Sequence, residues 1–366
     1  VKDWVARFAR PGKARHWRRA GETLVIGYLV PHLADRGDAA AVAAVARAHR
    51  QRGTRVIGYG LGAQSWDDNA PLRGAFDKWR DVIGVDHATL AKMLAGDTLD
   101  VVIDVGGFAA PDTLRALARV GSALRAAWIA DARGLERRIY DAAIVPRSVH
   151  AGMAEITLWQ PPCGAYPLLR DWSRRRERIA DGTCRFGADV QLAQIDPPTM
   201  ALWRGVLAAA PQAVLLLRAN DLDYGANVAR LIERFGDLAA RVDVVAAGEA
   251  DEFYRQVDVA LAPRRGPSAR MAAQALACGV PVLALEGDGA AQPYAALLRD
   301  LGLTALAAAT AEDYVGLAEG LAASPERRAR AAAAVETVAV RGEDTAAAIA
   351  GAIEEAARAM LGQAAA

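Results

Sequence analysis

Between Asp258 and Gly287 the chain reads DVALAPRRGPSARMAAQALACGVPVLALEG, and three arginines and a serine, Arg264, Arg265, Arg270 and Ser268, stand between an apolar run and an alanine-rich one. Val257 to Ala262 has the composition of a buried strand. Gly266, Pro263 and Pro267 break it, the residues after them repeat with helical spacing, and a second strand opens after Gly279. A helix that begins just past the carboxyl end of a parallel strand turns its unpaired N–H groups and the positive end of its dipole toward the crevice where α/β proteins hold phosphorylated ligands. Guanidinium groups at that mouth add two-pronged donors, so the expected ligand is an anion. The plainer alternative is that these arginines are solvated loop residues.

Other residues narrow the chemistry. No G-x-x-x-x-G-K-[ST], G-x-S-x-G or metal-binding pattern is present, which argues against a P-loop nucleotidase, a serine hydrolase and a metalloenzyme. His16, His49 and His150 read as surface positions and His87 as a helix start, with no ligand spacing among them. Gly106 and Gly107, following VVIDV, let a backbone come close to a ligand or make a tight turn. Cys163, Cys184 and Cys278 are odd in number and far apart, so neither a disulfide framework nor a zinc site is expected, and a reducing cytoplasm fits.

These residues need a scaffold, and the totals say which kind. A length of 366 residues exceeds one ordinary core and suggests two domains. The content, 53% hydrophobic and 24% charged, is that of a globular protein. Lys plus Arg, 44, nearly balance Asp plus Glu, 43, so the net charge of +1 argues against a dedicated nucleic-acid binder. No apolar run is long enough to span a membrane. The chain opens on Val and a charged stretch unlike a signal peptide, so an upstream segment is expected.

Residues 1–21 are basic with Trp4, Phe8 and Trp17, and read as an amphipathic helix laying its aromatics on the body of the protein. From residue 22 to 156 strand-like runs (LVIGYLV, RVIGYGL, LDVVIDV, ALRAAWI) alternate with helical ones, the pattern of a doubly wound parallel sheet. Residues 157–182 are rich in Pro, Gly and Arg and read as an interdomain connection. A second alternating series runs from 183 to 330, and 331–366 are alanine-rich helices expected to pack back on the first half.

Several segments resemble the catalytic region of the O-GlcNAc transferase and SPINDLY-like family of GT-B glycosyltransferases. They are IGYLVPHLADRGD, FDKWRDVIGVDHATLAKMLAGDTLDVVIDVGGFAAPDTLRALARVGSALRAAWI, DVQLAQIDPPTMALWRGVLAAAPQAVLLLRAN and ALACGVPVLALEG, in family order, over most of residues 24–330. The resemblance implies an α/β fold of the GT-B kind, two Rossmann-like domains facing across a cleft. It also implies transfer of a sugar from a nucleotide-sugar donor to a protein Ser or Thr, inverting and without a metal or other cofactor, and an upstream helical-repeat segment.

Carried over residue by residue, the resemblance puts Gln191 beside the base of the donor and Gln194 where the family has a diphosphate-steadying Lys. Ala269, Arg270 and Met271 stand at the family's His-Thr-Thr helix start, and Gln274 at a carboxylate near the ribose. Arg36 falls at the family's acceptor-side His, and Gly107, Phe108 and Ala109 at a Gly-His-Thr. The donor site expected is therefore Gln191, Gln194, Arg264, Gly266, Ser268, Arg270 and Gln274, and the acceptor side Arg36, Gly106 and Gly107. An inverting enzyme needs a base near the end of the first strand, where His32 and Asp35 lie. His32 also suits a structural hydrogen bond, and Asp35 or Asp38 a helix cap.

Losing the Lys removes a cation from a leaving group that must be stabilised, while Arg270 with Arg264 and Arg265 restores charge in another geometry. Two donors follow: a UDP-sugar, or a CMP-activated acidic sugar such as a nonulosonic acid transferred to flagellin. The alternative from another class is an inactive GT-B-like module that docks a protein partner.

Overall fold

The computed structural model describes residues 23–33, 36–62, 70–107, 111–128, 137–147, 156–161, 166–167, 182–218, 225–245, 250–266, 269–287, 293–339 and 342–363. The chain divides into two compact units, one made of Val1–Pro167 with Glu343–Ala366 and one of Leu168–Gly342.

The first unit contains β1 (Val25–Val30), α1 (Arg36–Gln51), β2 (Arg55–Gly60), α2 (Ala70–Arg73), β3 (Lys78–Asp81), α3 (His87–Gly96) and β4 (Val101–Asp104). These are followed by α4 (Pro111–Leu117), β5 (Leu124–Trp128), β6 (Ala142–Ile144) and β7 (Thr157–Trp159). All strands pair in parallel, in the order β3-β2-β1-β4-β5-β6-β7. The apolar character of the inner strands follows from burial on both faces: every residue of β4 and β5 is buried. Helix α3 starts at His87 because Asp86 caps it, accepting from the amides of Ala88 at 2.9 Å and Thr89 at 3.1 Å.

The second unit holds β8 (Cys184–Asp189), α5 (Pro197–Ala209), β9 (Ala213–Arg218), α6 (Gly225–Glu233), β10 (Val242–Val245), α7 (Ala250–Tyr254), β11 (Val259–Leu261) and α8 (Arg270–Ala277). Then come β12 (Val282–Leu285), α9 (Pro293–Asp300), β13 (Ala307–Ala308), α10 (Ala311–Ala323) and α11 (Pro325–Ala339). Its parallel order is β10-β9-β8-β11-β12-β13. Asp196 caps α5 through Thr199 N at 2.9 Å, and Pro197 fills the first turn, where a missing N–H costs nothing.

Three local expectations differ. Thr157–Trp159, at the head of the stretch read as a connection, is the last strand of the first sheet, with the indole of Trp159 donating to Met360 Sδ at 3.3 Å. Of the terminal helices, α12 (Gly342–Gln363) lays Ala346, Ile349, Ala350, Ile353, Ala357 and Leu361 into the core of the first unit, whereas α11 packs on α8 and α10 in the second. His49 is fully buried rather than at the surface, because α12 brings Glu354 to its Nδ1 at 2.7 Å. The segment 1–21 lies outside the described residues.

Candidate functional site

Each sheet has one place where the chain reverses its winding direction, and ligands of open α/β sheets sit outside the strand ends there. In the second unit the reversal falls between β8 and β11, because β9 and β10 lie on one side of β8 and β11, β12 and β13 on the other. Of the expected donor residues, Gln191 and Gln194 lie in the segment after β8, Arg264 and Gly266 in the loop after β11, and Arg270 and Gln274 in the helix α8 that follows that loop.

After β8 the chain turns through Gln191 to Gln194. Gln191 is exposed, and its amide donates to Gln194 Oε1 at 2.7 Å. Gln194 Nε2 in turn donates to the hydroxyl of Tyr294, at the start of α9, at 3.0 Å. After β11 the Arg264 amide donates to Thr199 Oγ1 at 3.1 Å, fixing the loop on α5 while the Arg264 and Arg265 side chains reach solvent. Gly266 is buried against Tyr294: a Cβ there would overlap the phenol, so glycine is required by close approach. Arg270 is the first residue of α8, which no side chain caps at Ala269, and its charge acts on both Tyr294 and Tyr254. Gln274 is buried on the same helix. Ser268 lies outside the described residues.

The electrostatics of this crevice are set by what is already paired. Asp189, the last residue of β8, is held by Arg218 Nη1 at 2.7 Å, with both side chains buried. Burial drives the phenol of Tyr294 well above its ordinary range, against the opposing effects of the Gln194 hydrogen bond and the Arg270 charge, so it is a neutral donor at any physiological pH. The mouth thus combines neutral hydrogen-bonding groups, a guanidinium and the start of a helix, a set that can hold an anion.

In the first unit the reversal lies between β1 and β4. Pro31, His32 and Leu33 leave β1, and Gly106 and Gly107 leave β4. These loops are packed together: a Cβ on Gly106 would meet Pro31 Cγ at 3.1 Å, and one on Gly62, after β2, would meet the His32 backbone nitrogen at 2.8 Å. His32 is exposed. Asp35 lies outside the described residues, and Arg36 begins α1 with its side chain outside them. Asp38 is buried and accepts from the Tyr166 hydroxyl at 2.6 Å.

Two features were not anticipated. Asp104, the last residue of β4, is fully buried and accepts from the amides of Gly106 at 3.0 Å and Gly107 at 3.3 Å and from the Tyr140 hydroxyl at 2.6 Å. Burial pushes its carboxyl up to about 6, against those three hydrogen bonds. The signal was an acidic residue closing an otherwise apolar strand run. Tyr294 carried no such signal, because its role depends on contacts with Gln194 and Gly266 that are remote in sequence.

Among the described residues no group of three or more His, Cys, Asp or Glu side chains is arranged to hold a metal ion, and no helix is long and apolar enough to cross a membrane.

Comparison with known proteins finds relatives of both units. Residues 171–343, almost the whole of the second unit, match the model of Glycosyl transferase family 41. Curated relatives include proteins named as probable UDP-N-acetylglucosamine–peptide N-acetylglucosaminyltransferase SPINDLY. That of Petunia hybrida is 24% identical over 354 residues, 88% of this chain and 37% of the relative, and that of Hordeum vulgare 24% identical over 352 residues, 88% and 36%. The chain therefore spans little more than a third of the length of these relatives. Among solved structures, a mutant of the Thermobaculum terrenum O-GlcNAc transferase superposes with a TM-score of 0.87 at 25% identity, covering 99% of this chain and 73% of that one. Anabaena Alr3699/HepE in complex with UDP and glucose, at 14% identity and a TM-score of 0.59 over 91% of this chain and 99% of that one, shares the fold.

Proposed function

We propose that this chain, whose residues 171–343 match Glycosyl transferase family 41 and which is similar to O-GlcNAc transferase and SPINDLY proteins, is a GT-B glycosyltransferase that transfers a sugar from a nucleotide-sugar donor to a serine or threonine of a protein. The observation that carries the reading is the convergence of the loops after β8 and β11, with Gln191, Gln194, Gly266 and Arg270, on the winding reversal of the second sheet.

In the reaction proposed, the acceptor hydroxyl attacks the anomeric carbon from the face opposite the nucleotide. The carbon–oxygen bond to the phosphate breaks, and its electron pair leaves on the phosphate oxygen. Arg270 and the first amides of α8 stabilise that charge as it develops, which is where electrostatic help lowers the barrier most. The acceptor proton passes to a base of the first unit, His32 or Asp35. No step of this displacement calls on a metal ion. Gln191 is assigned to the nucleotide base, and Gln194 and Gln274 to the rest of the nucleotide-sugar. Arg36, Gly106 and Gly107 serve the acceptor side, with Asp104 holding the glycine turn.

Two donors fit, a UDP-sugar and a CMP-activated acidic sugar, whose carboxylate the loop arginines can pair; for the second, flagellin is the acceptor to try. Incubation with UDP-N-acetylglucosamine or a CMP-nonulosonic acid, with flagellin and with a Ser/Thr peptide library, followed by mass spectrometry, tests the reading. Addition of one sugar mass per site, lost in Arg270→Ala, is expected. Absence of transfer together with absence of nucleotide affinity would instead make the chain a module that docks a protein partner.

A further inference from the structure

At the amino-terminal ends of the strands of the first sheet, the end of α1, the start of β2 and the residue before β3 enclose an open cleft of about 710 Å³. Its walls carry three guanidinium groups, Arg47 and Arg50 from α1 and Arg55 from β2, against one carboxylate, Asp77. That carboxylate is already engaged: Oδ1 accepts from Arg50 Nε at 2.8 Å, and Oδ2 from the Val56 amide at 2.8 Å. Arg50 also donates through Nη1 to the Gly74 carbonyl at 3.1 Å, so its charge is balanced and its position fixed. Glu354, which approaches from α12, is held by His49, Arg52 and Thr54. The side chains of Arg47 and Arg55, by contrast, make no hydrogen bond or ion pair among the described residues, and both residues are exposed. A cation at the end of α1 complements the helix dipole, which accounts for Arg50; Arg55 stands on a strand, where that explanation does not reach.

The kind of anion follows from what else the walls offer. Phosphate sites are commonly built on unpaired backbone amides. Here the amides that close α1 are spent on its own carbonyls, Gly53 N donating to Arg50 O and Thr54 N to His49 O, each at 3.0 Å. Among the described residues no aromatic side chain lines the cleft, so a nucleotide base has nothing to stack on. What remains is the guanidinium fork, which matches a carboxylate two oxygens at a time. One exposed pair is weak in water, so useful affinity calls for several carboxylates on one chain. We propose that this cleft docks an acidic segment of a partner polypeptide, Arg47 and Arg55 pairing its Asp or Glu side chains beside the fixed Arg50. The surface is separate from the candidate base His32, which follows β1 at the opposite ends of the strands, and from the donor residues, which belong to the second unit.

Fluorescence anisotropy of labelled hexaglutamate, titrated with the full chain at low ionic strength, tests this, with thermal melting as the check on folding. Two double variants are compared with the wild type: Arg47→Glu with Arg55→Glu in the cleft, and Arg119→Glu with Arg330→Glu, which makes the same change of net charge at exposed residues elsewhere. The wild type and the second variant should bind the peptide alike, and the cleft variant about tenfold or more weakly, the effect of losing two ion pairs and gaining two like charges. Should the cleft variant fail to fold, Arg47→Gln with Arg55→Gln, which removes the charge and keeps most of the stem, decides in its place by the same loss. Oligothymidylate of equal charge should bind more weakly than the peptide. No binding of hexaglutamate by the wild type, or equal affinity of the two double variants, overturns the proposal. Tighter binding of oligothymidylate overturns it as well and makes the cleft a nucleic-acid contact.

Discussion

A Cβ on Gly62 would lie 2.8 Å from the backbone nitrogen of His32, so the loop that ends β2 presses directly on the loop that ends β1. On its other side that loop meets Gly106 through Pro31. His32, one of the two candidate bases, therefore lies in a loop flanked by two glycines from neighbouring strands, and its position can be perturbed without touching it.

Gly62→Ala pushes against backbone, which cannot swing aside as a side-chain tip can. A displacement of His32 by a fraction of an ångström to about one ångström should lower kcat by roughly 10- to 100-fold. Nucleotide affinity, assigned under the proposal to the second unit, should stay unchanged. Equal kcat for Gly62→Ala and wild type would remove His32 from the reaction.

Gly266→Ala meets the hydroxyl and ring of buried Tyr294 and should destabilise the second unit by about 1–3 kcal/mol, the usual cost of overpacking. Tyr294→Leu shortens the side chain and should recover most of that loss in the double variant. Urea melts of the four proteins make a double-mutant cycle, and additive losses would show that the two residues do not touch.

Asp104 makes the stability of the first unit depend on pH in a direction unusual for a carboxyl. Its carboxyl is raised from 3.8 to about 6 by burial, so between those values the folded chain holds a proton that the unfolded chain has released. The stabilising contribution is complete below pH 3.8 and is lost as pH rises through about 6, amounting to roughly 3 kcal/mol by linkage. Asp104→Asn keeps the acceptor for the glycine amides and should flatten this part of the stability-versus-pH curve; a curve of unchanged slope contradicts the assignment.

Glu354 behaves in the opposite sense. Although burial opposes it, hydrogen bonds from His49, Arg52 and Thr54 hold its carboxylate below the ordinary 4.5. The stability it adds is present above pH 4.5 and lost as pH falls through the lowered value. Glu354→Ala leaves the buried His49 and Thr54 facing a vacated site and should cost about 2–4 kcal/mol in urea unfolding at neutral pH. A loss within about 0.5 kcal/mol, the range of an ordinary surface change, would mean that α12 is not pinned there.

The fold is legible in the sequence because alternation of strand and helix is a local signal. VVID, AVLLLR and the spacing of α1 announce themselves over a few residues, and each sheet's reversal point follows from the order of its elements. That the segments holding Gln191, Gln194, Gly266 and Arg270 follow neighbouring strands is legible as well, since the apolar pattern marks both strands. What the sequence hides are contacts closed over long separations. Tyr294 becomes part of the site only when α9 returns to β8, and His49, polar and at a helix end, becomes buried only when α12 arrives 305 residues later. Side-chain periodicity carries no information about either.

The measurement closest to the central claim is a nucleotide-soaked crystal structure of this chain, with UMP and with CMP. Density is expected between the loops after β8 and β11, with the phosphate at the N-terminus of α8 and within about 3 Å of the Arg270 guanidinium. A crevice in which Tyr294 itself fills the phosphate position, with nucleotide bound elsewhere or nowhere, would contradict it.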